Sequence, residues 1–202
     1  MAASPEPADE GLVAAAQRGD LTAFNSLVAR YQTPLFNLCL RMLGDRQAAE
    51  DATQEAFLSA HRALPRFAGG SLRSWLTRIA ANQCKDELRR RRRRGTTSSL
   101  DRIVDTDEGS LEIPDEAPTA PELAEQAELG RQLQLALDIL PADQREAIVL
   151  VDLQEFRYGE AARVAGVSVG TVKSRVHRGR RRLRAYLREH PELIAGYRRL
   201  EE

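Results

Sequence analysis

The chain has 202 residues, of which 42% are hydrophobic and only 5% aromatic, and its 30 Lys and Arg are matched by 30 Asp and Glu. This length allows one large or two small domains, and an Ala-, Leu-, Arg- and Glu-rich composition with few β-branched runs predicts an all-α protein. The zero net charge hides a segregation, with arginine dominating Arg89–Arg94 and Lys173–Arg184 while the middle is acidic, so separate basic patches for a polyanion partner are expected.

Residues 1–9 are rich in Ala, Pro and acid and are expected to be disordered. They lack the basic and apolar regions of a signal peptide, and no apolar run approaches the roughly 20 residues that cross a bilayer, so a cytoplasmic location without membrane insertion is expected. Glu10–Arg18 predicts a short helix that stops at Gly19. Asp20 then caps a long helix in which Leu21, Phe24, Leu27, Val28, Tyr31, Leu35, Leu38, Cys39, Met42 and Leu43 keep the 3.6-residue period. Pro34, inside this pattern, is expected to kink or break it. Gly44 ends the helix and Asp45 caps the next, Asp45–Ala63. Here Ala49, Ala52, Ala56, Phe57, Ala60 and Leu64 read as core. Asp51, Gln54, Glu55, Leu58 and Arg62 make a second stripe, which could dock on a basic partner or simply be solvated.

Pro65–Gly70 is a turn-rich loop, and Ser71 caps a helix that runs from Leu72 into the arginines. Its core side is Leu72, Leu76, Ile79, Ala80, Cys84 and Leu88. Trp75, Arg78, Asn82, Lys85 and Arg89 form another stripe. A stacking aromatic, an amide and cations are the mixture that holds unstacked nucleic acid, although a lone Trp is more often core. The run Arg89–Arg94 is either a solvated helix end or a grip on phosphates. Cys39 and Cys84 fall on apolar faces without C-x-x-C spacing and are expected to be reduced core residues.

From Gly95 to Ala127 the chain is polar, acidic and proline-containing, with too little apolar surface to order itself. This linker divides a first domain, 10–94, from a second, 128–190, and leaves a tail, 191–202, without an assigned role. The second domain opens with Glu122–Leu140, whose apolar face is Leu123, Leu129, Leu133, Leu137 and Leu140. Pro141 starts Ala142–Leu153, where Ile148, Val149, Val151 and Leu153 are expected to be buried. The stretch Phe156–Leu187 reads as a helix-turn-helix. Gly166 suits a left-handed helix end, Ser168 an N-cap, and Ala161, Ala162 and Ala165 a close helix approach. Val172, Val176, Leu183 and Leu187 make the buried stripe, while Lys173, Ser174, His177, Arg178 and Arg181 lie opposite and could read DNA or be solvated.

Six segments, in order, carry a family resemblance: QRGDLTAFNSLVARYQ, RMLGDRQAAEDATQEAF, RALPRF, SWLTRIAANQCKDELRRR, LPADQREAIVLVDLQEF and SVGTVKSRVHRGRRRLR. The chain resembles an extracytoplasmic-function (ECF) sigma factor, the small two-domain class of bacterial transcription initiation factor, from Asp9 to Leu187 except in the linker. The loop Phe67–Ser71 is one residue shorter than the family pattern, and Gly70 stands where an acidic residue is common.

The resemblance implies a role for each stripe. Asp51, Gln54, Glu55 and Leu58 match the segment that docks on the clamp helices of the largest subunit of core RNA polymerase, and the flap region is the other expected contact. Phe67, Gly69 and Ser71 of the loop, with Trp75, Arg78, Asn82, Lys85 and Arg89, match the part that melts and reads the −10 element. Lys173, Ser174, His177 and Arg178 match the −35 reader in the major groove, with Thr171, Arg175 and Arg180 placed for phosphates. The linker would thread the polymerase by mimicking nucleic-acid charge, and an anti-sigma factor is an expected partner. A one-component helix-turn-helix regulator is the alternative. It leaves the Asp51 and Trp75 stripes without a use. No catalysis, metal or cofactor is expected, because His61, His177 and His190 are scattered and no ligand cluster or phosphate-cradling glycine loop is present.

Overall fold

The computed structural model describes residues 7–93, 95 and 120–191, which are helical with no strand among them. Eight α-helices run α1 Pro7–Gln17, α2 Leu21–Leu43, α3 Arg46–Ala63, α4 Leu72–Arg93, α5 Ala120–Asp138, α6 Ala142–Ile148, α7 Tyr158–Ala165 and α8 Val169–Glu189. A 3-10 turn, Leu64–Arg66, follows α3, and a π-turn, Val149–Leu153, follows α6.

The helix ends follow from side-chain chemistry. Asp20 accepts from the backbone N–H groups of Thr22 and Ala23, and Asp45 accepts from that of Ala48, so part of the free donors of each first turn is satisfied. Helix α1 starts at Pro7, inside the stretch expected to be disordered. Asp9 is buried there because its carboxylate takes both the Arg30 guanidinium and the Tyr31 hydroxyl of α2. Helix α2 runs through Pro34 without a break, contrary to the sequence expectation. Its flanks Leu27, Leu35, Leu38 and Met42 are all buried, and this packing outweighs one lost backbone hydrogen bond.

In the N-terminal bundle, α3 offers Ala49, Ala52, Ala56 and Ala60, and these small side chains let α2 and α4 approach closely. Cys39 and Cys84 are free thiols buried between α2 and α4. The neighbouring Cys39 side chain and then burial push the Cys84 thiol up. In the C-terminal half, Leu137, Leu140, Ile148, Val149, Leu150, Phe156, Val164, Val172 and Val176 are buried.

Several expected core positions are corrected, Leu21 on the α2 period among them at 63% exposed. Leu153 is 38% exposed with Val151 half-buried, because the π-turn adds a residue and rotates the chain after Leu150 out of register. Leu133 is 37% exposed on α5, where buried Gln134 and Leu137 take the inner face instead. Helix α5 itself begins at Ala120, within the stretch read as linker. The rest of that stretch beyond Gly95, and the tail after Pro191, lie outside the described residues.

The two halves pack on each other through one continuous apolar cluster. Polar ties cross the same seam: Arg41 donates to the Gly130 carbonyl (2.7 Å), Arg145 to that of Met42 (3.1 Å), and Gln154 to that of Pro34 (3.3 Å). None of the described helices is long and apolar enough to cross a membrane.

Candidate nucleic-acid and protein interfaces

Helix α3 presents Asp51, Gln54, Glu55 and Leu58 to solvent, with Leu58 46% exposed. The carboxylates are lightly held: Gln47 donates to Asp51 at 3.4 Å, and Arg62 lies 3.7 Å from Glu55. One side of this stripe borders a polar hollow shared with Gln83, Glu87 and Arg90 of α4. On its other side, Gln54 and Leu58 border an apolar groove floored by Phe24, Val28, Phe36 and Phe57. The sequence period marks Phe24 and Phe57 as core. It misses the groove because Phe36, which also lines it, lies off that stripe; the Arg46 guanidinium sits over the Phe36 ring, 5.5 Å from its centroid.

The loop before α4 turns through Gly69 (φ 97°) and Gly70 (φ 93°), both exposed. A positive φ at 70 explains why glycine stands at a position where the family pattern has an acid. Ser71 is also exposed, and its hydroxyl accepts from the Ser74 N–H at 3.2 Å, capping α4. Phe67 and Trp75 are half-buried against each other, ring centroids 5.0 Å apart, so Trp75 is neither wholly core nor free. Arg78 and Asn82 are exposed beyond them, and exposed Arg89 pairs with Asp86 at 2.9 Å. Lys85 is set apart. Its ammonium turns toward the C-terminal half and pairs with Glu146 of α6 at 2.7 Å.

In the helix-turn-helix, Gly166 adopts φ 72°, a left-handed end that costs glycine little. Ser168 accepts from the Thr171 N–H at 3.1 Å and starts α8. Val172 and Val176 are buried, and this fixes the rotation of α8 so that Lys173, Ser174, His177, Arg178 and Arg181 face solvent together. Thr171 is half-buried beside Ser168. Arg175 and Arg180 point back instead: Arg175 meets Asp143 at 3.2 Å, and Arg180 forks onto Asp152 at 3.1 and 2.5 Å. Their phosphate-facing role would require sharing the guanidinium with those carboxylates. The π-turn is what brings Asp152 to Arg180.

Sequence reading also passes over Arg73. Its guanidinium lies over the Phe156 ring (4.5 Å) and donates to the Gln154 carbonyl. The signal was a third α4 face, Arg73, Thr77, Ala81 and Lys85 at steps of four, visible only once Thr77 and Ala81 are seen to be buried. Among the described residues no group of His, Cys, Asp and Glu could hold a metal ion.

Comparison with known proteins agrees with this architecture. Residues 27–94 match the model for Sigma-70 region 2, and residues 130–183 that for Sigma-70, region 4. The chain is 37% identical to the ECF RNA polymerase sigma factor SigE of Mycolicibacterium smegmatis, over 92% of this chain and 71% of that protein. It is 38% identical to the ECF RNA polymerase sigma-E factor of Escherichia coli K12, over 88% and 93% respectively. Among solved structures, it superposes on CnrH in complex with the cytosolic domain of CnrY with a TM-score of 0.67 at 29% identity, covering 91% of this chain and 99% of that one. The sigma factor RpoE of Bartonella quintana, bound to the anti-sigma factor NepR, gives a TM-score of 0.61 at 29% identity, covering 82% and 96%. With both region models matched in order and relatives covered over most of their length, the chain belongs to the ECF family of RNA polymerase sigma factors.

Proposed function

We propose that this sigma factor directs initiation by reading the −35 element as duplex and the −10 element as melted strand, while docked on core RNA polymerase. The observation that carries the reading is the α8 face, where buried Val172 and Val176 turn Lys173, Ser174, His177 and Arg178 outward side by side. Such a face fits a major groove, where Lys and Arg pair with guanine edges. Arg78 and Asn82 beyond the Phe67–Trp75 pair are suited to bases that have left the stack, whose edges are then open to hydrogen bonding. Asp51, Gln54, Glu55 and Leu58 are the proposed contact with the polymerase clamp helices, with region 4 at the flap.

The protein itself has no catalytic role in this reading; the polymerase does the chemistry, in the cytoplasm. An anti-sigma factor is a proposed partner, supported by the structural relative RpoE of Bartonella quintana, a sigma factor in complex with the anti-sigma factor NepR. Run-off transcription by core polymerase on a promoter library tests the proposal. A set of selected promoters sharing two motifs is expected. Tight, sequence-specific duplex binding by the free chain with no effect on core polymerase would replace it with the one-component regulator.

A further inference from the structure

Helix α1 lies ahead of residue 27, where the match to Sigma-70 region 2 begins, and it is tied down at both ends. At its start the buried Asp9 carboxylate takes Arg30 and Tyr31 of α2, and Val13 packs into the core one turn on. At its last residue the Gln17 side chain crosses to the segment between α3 and α4. Its amide nitrogen donates to the Leu64 carbonyl at 3.0 Å and to the Phe67 carbonyl at 2.9 Å. Carbonyls only accept, so a side chain that joins two of them must bring two donor hydrogens to one point, as an amide NH2 does.

Those carbonyls bracket the 3-10 turn, which closes on itself through the Phe67 N–H and the Leu64 carbonyl at 3.0 Å. Pro65 inside the turn has no N–H to offer, and Gln17 supplies donors from outside. The chain beyond is bare. Ala68, Gly69, Gly70 and Ser71 are exposed, and a Cβ at Gly69 or Gly70 would stand in open space. Ser71 secures the far end of this loop by capping α4. Gln17 secures the near end at Phe67, whose ring packs against Trp75 with centroids 5.0 Å apart.

We propose that Gln17 is a positioning residue for −10 reading: by holding the backbone at Leu64 and Phe67, it sets where the Phe67–Ser71 loop and the Phe67–Trp75 pair receive an unstacked base. This rests on the −10 reading above and adds α1 to it. Losing the tie removes no contact with the strand. It lowers the share of chains whose loop is set to receive a base, and the apparent affinity falls by that share.

Two measurements on the full chain test the role. Trp75 is the single tryptophan, so its fluorescence in the free protein reports on the loop. Gln17→Met keeps the length of the side chain and removes both donors, and acrylamide should then quench Trp75 more strongly than in the parent. With core polymerase, selection from a randomised −10 region should show the preference for the favoured bases reduced about three- to tenfold, the size expected for lost neutral hydrogen bonds. Preference at −35 and affinity for core polymerase should stay at the parental level. Gln17→Lys returns donors to both carbonyls and should restore quenching and −10 preference; preference is a ratio between bases, so the added charge does not mimic the rescue. A tie of purely structural use would lower stability to urea in Gln17→Met and leave −10 preference intact, and that result overturns the proposal. A Gln17→Lys protein no better than Gln17→Met also overturns it. Circular dichroism checks the helices. If Gln17→Met loses them, Gln17→Glu, equally long but opposing two carbonyls with a carboxylate, takes its place and should show at least the same loss. Asn82→Ala separates the proposal from the reading beneath it. Relaxed −10 preference in Asn82→Ala but not in Gln17→Met rejects the positioning role alone, whereas parental preference in both rejects the −10 reading and the positioning role with it.

Discussion

Gly179 of α8 lies so close to Ile148 of α6 that a Cβ at position 179 would stand 2.8 Å from Ile148 Cγ1 and 3.2 Å from its Cδ1. Both residues are buried. The helix that carries the exposed basic face thus rests its own backbone on the Ile148 side chain, with no side chain of α8 between them. Its rotation and height are set by that contact together with Val172 and Val176.

Gly179→Ala should therefore destabilise the protein by about 1–3 kcal/mol, although alanine is the better helix former, because overpacking outweighs propensity at a buried contact. Urea denaturation measures the loss. Ile148→Val removes part of the obstructing side chain, so the double variant should lose less than the sum of the two single changes. A Gly179→Ala protein as stable as its parent would show that α8 can move off α6 freely.

The sequence makes the helix-turn-helix legible because each local signal points the same way: Gly166, Ser168, and Val172 with Val176 all agree. Helix α3 is legible for the same reason, through its alanine stripe. Gly179 carries a signal too, since a glycine in a helical pattern often marks close backbone approach, but the pattern cannot say to what. The packing of the two halves is not legible. Besides the shared apolar cluster it uses Arg73 and Glu146, which the sequence reading passes over, and Lys85, which that reading assigns to the −10 strand; their partners lie across the seam. Asp9 is similar, an acid in a polar leader that becomes buried only because Arg30 and Tyr31 of α2 meet it. The π-turn is likewise silent in sequence, and it is what puts Leu153 outside and Asp152 against Arg180.

Glu155, directly after the π-turn, takes φ 57° and is the one described residue other than glycine with positive φ. Its side chain is exposed, so it has little packing to offset the strain of a left-handed backbone. Glu155→Gly should raise stability by about 0.5–1 kcal/mol, the relief of strain less the extra freedom of glycine in the unfolded chain. Glu155→Val should lower it. Thermal unfolding of the three proteins gives the ranking, and a glycine variant less stable than the parent would contradict this account.

Burial pushes the Glu146 carboxyl above the ordinary 4.5; Lys85 and then Arg175 pull it back, and Asp143 adds to the push. The folded chain therefore binds more protons at this site than the unfolded chain does, between the ordinary value and the raised one. Stability contributed by the protonated form is present below that window and is lost as pH rises through it. Glu146→Gln cannot ionise and lacks the loss. In urea titrations from pH 4 to 7, the variant should gain on the parent across the window and the difference should then level off. A parent that gains on the variant instead would mean that the Lys85 pair outweighs desolvation.

Asp51 and Glu55 are exposed and only loosely paired, so reversing both to Lys should change stability by no more than about 0.5 kcal/mol. If this stripe meets a basic surface of core polymerase, the same change places like charges together. Binding should then weaken at least about tenfold, roughly 1.4 kcal/mol, and more steeply at low salt. Unchanged assembly in a core-polymerase titration would remove the stripe from the docking surface.

Lys173 and Arg178 test how α8 meets duplex. Both are exposed on one side of the helix, one on each side of Ser174 and His177, and neither is needed for the core formed by Val172 and Val176. Truncation to Ala should leave folding intact and act on DNA alone. A side chain that forks onto a guanine edge discriminates by about 1–3 kcal/mol against other bases, whereas one on a phosphate weakens all sequences alike and lowers the salt slope. Selection from a randomised −35 region by holoenzyme separates the two cases, since polymerase supplies the common binding energy. Lys173→Ala and Arg178→Ala should each relax one or two base positions. Arg175→Ala and Arg180→Ala should leave the preferred sequence unchanged, because those guanidinium groups are turned to Asp143 and Asp152. Arg175→Ala should instead lower stability, its partner being left on a half-buried surface. If Lys173→Ala and Arg178→Ala weakened every sequence equally, α8 would sit on the backbone and base reading would have to come from elsewhere in the domain.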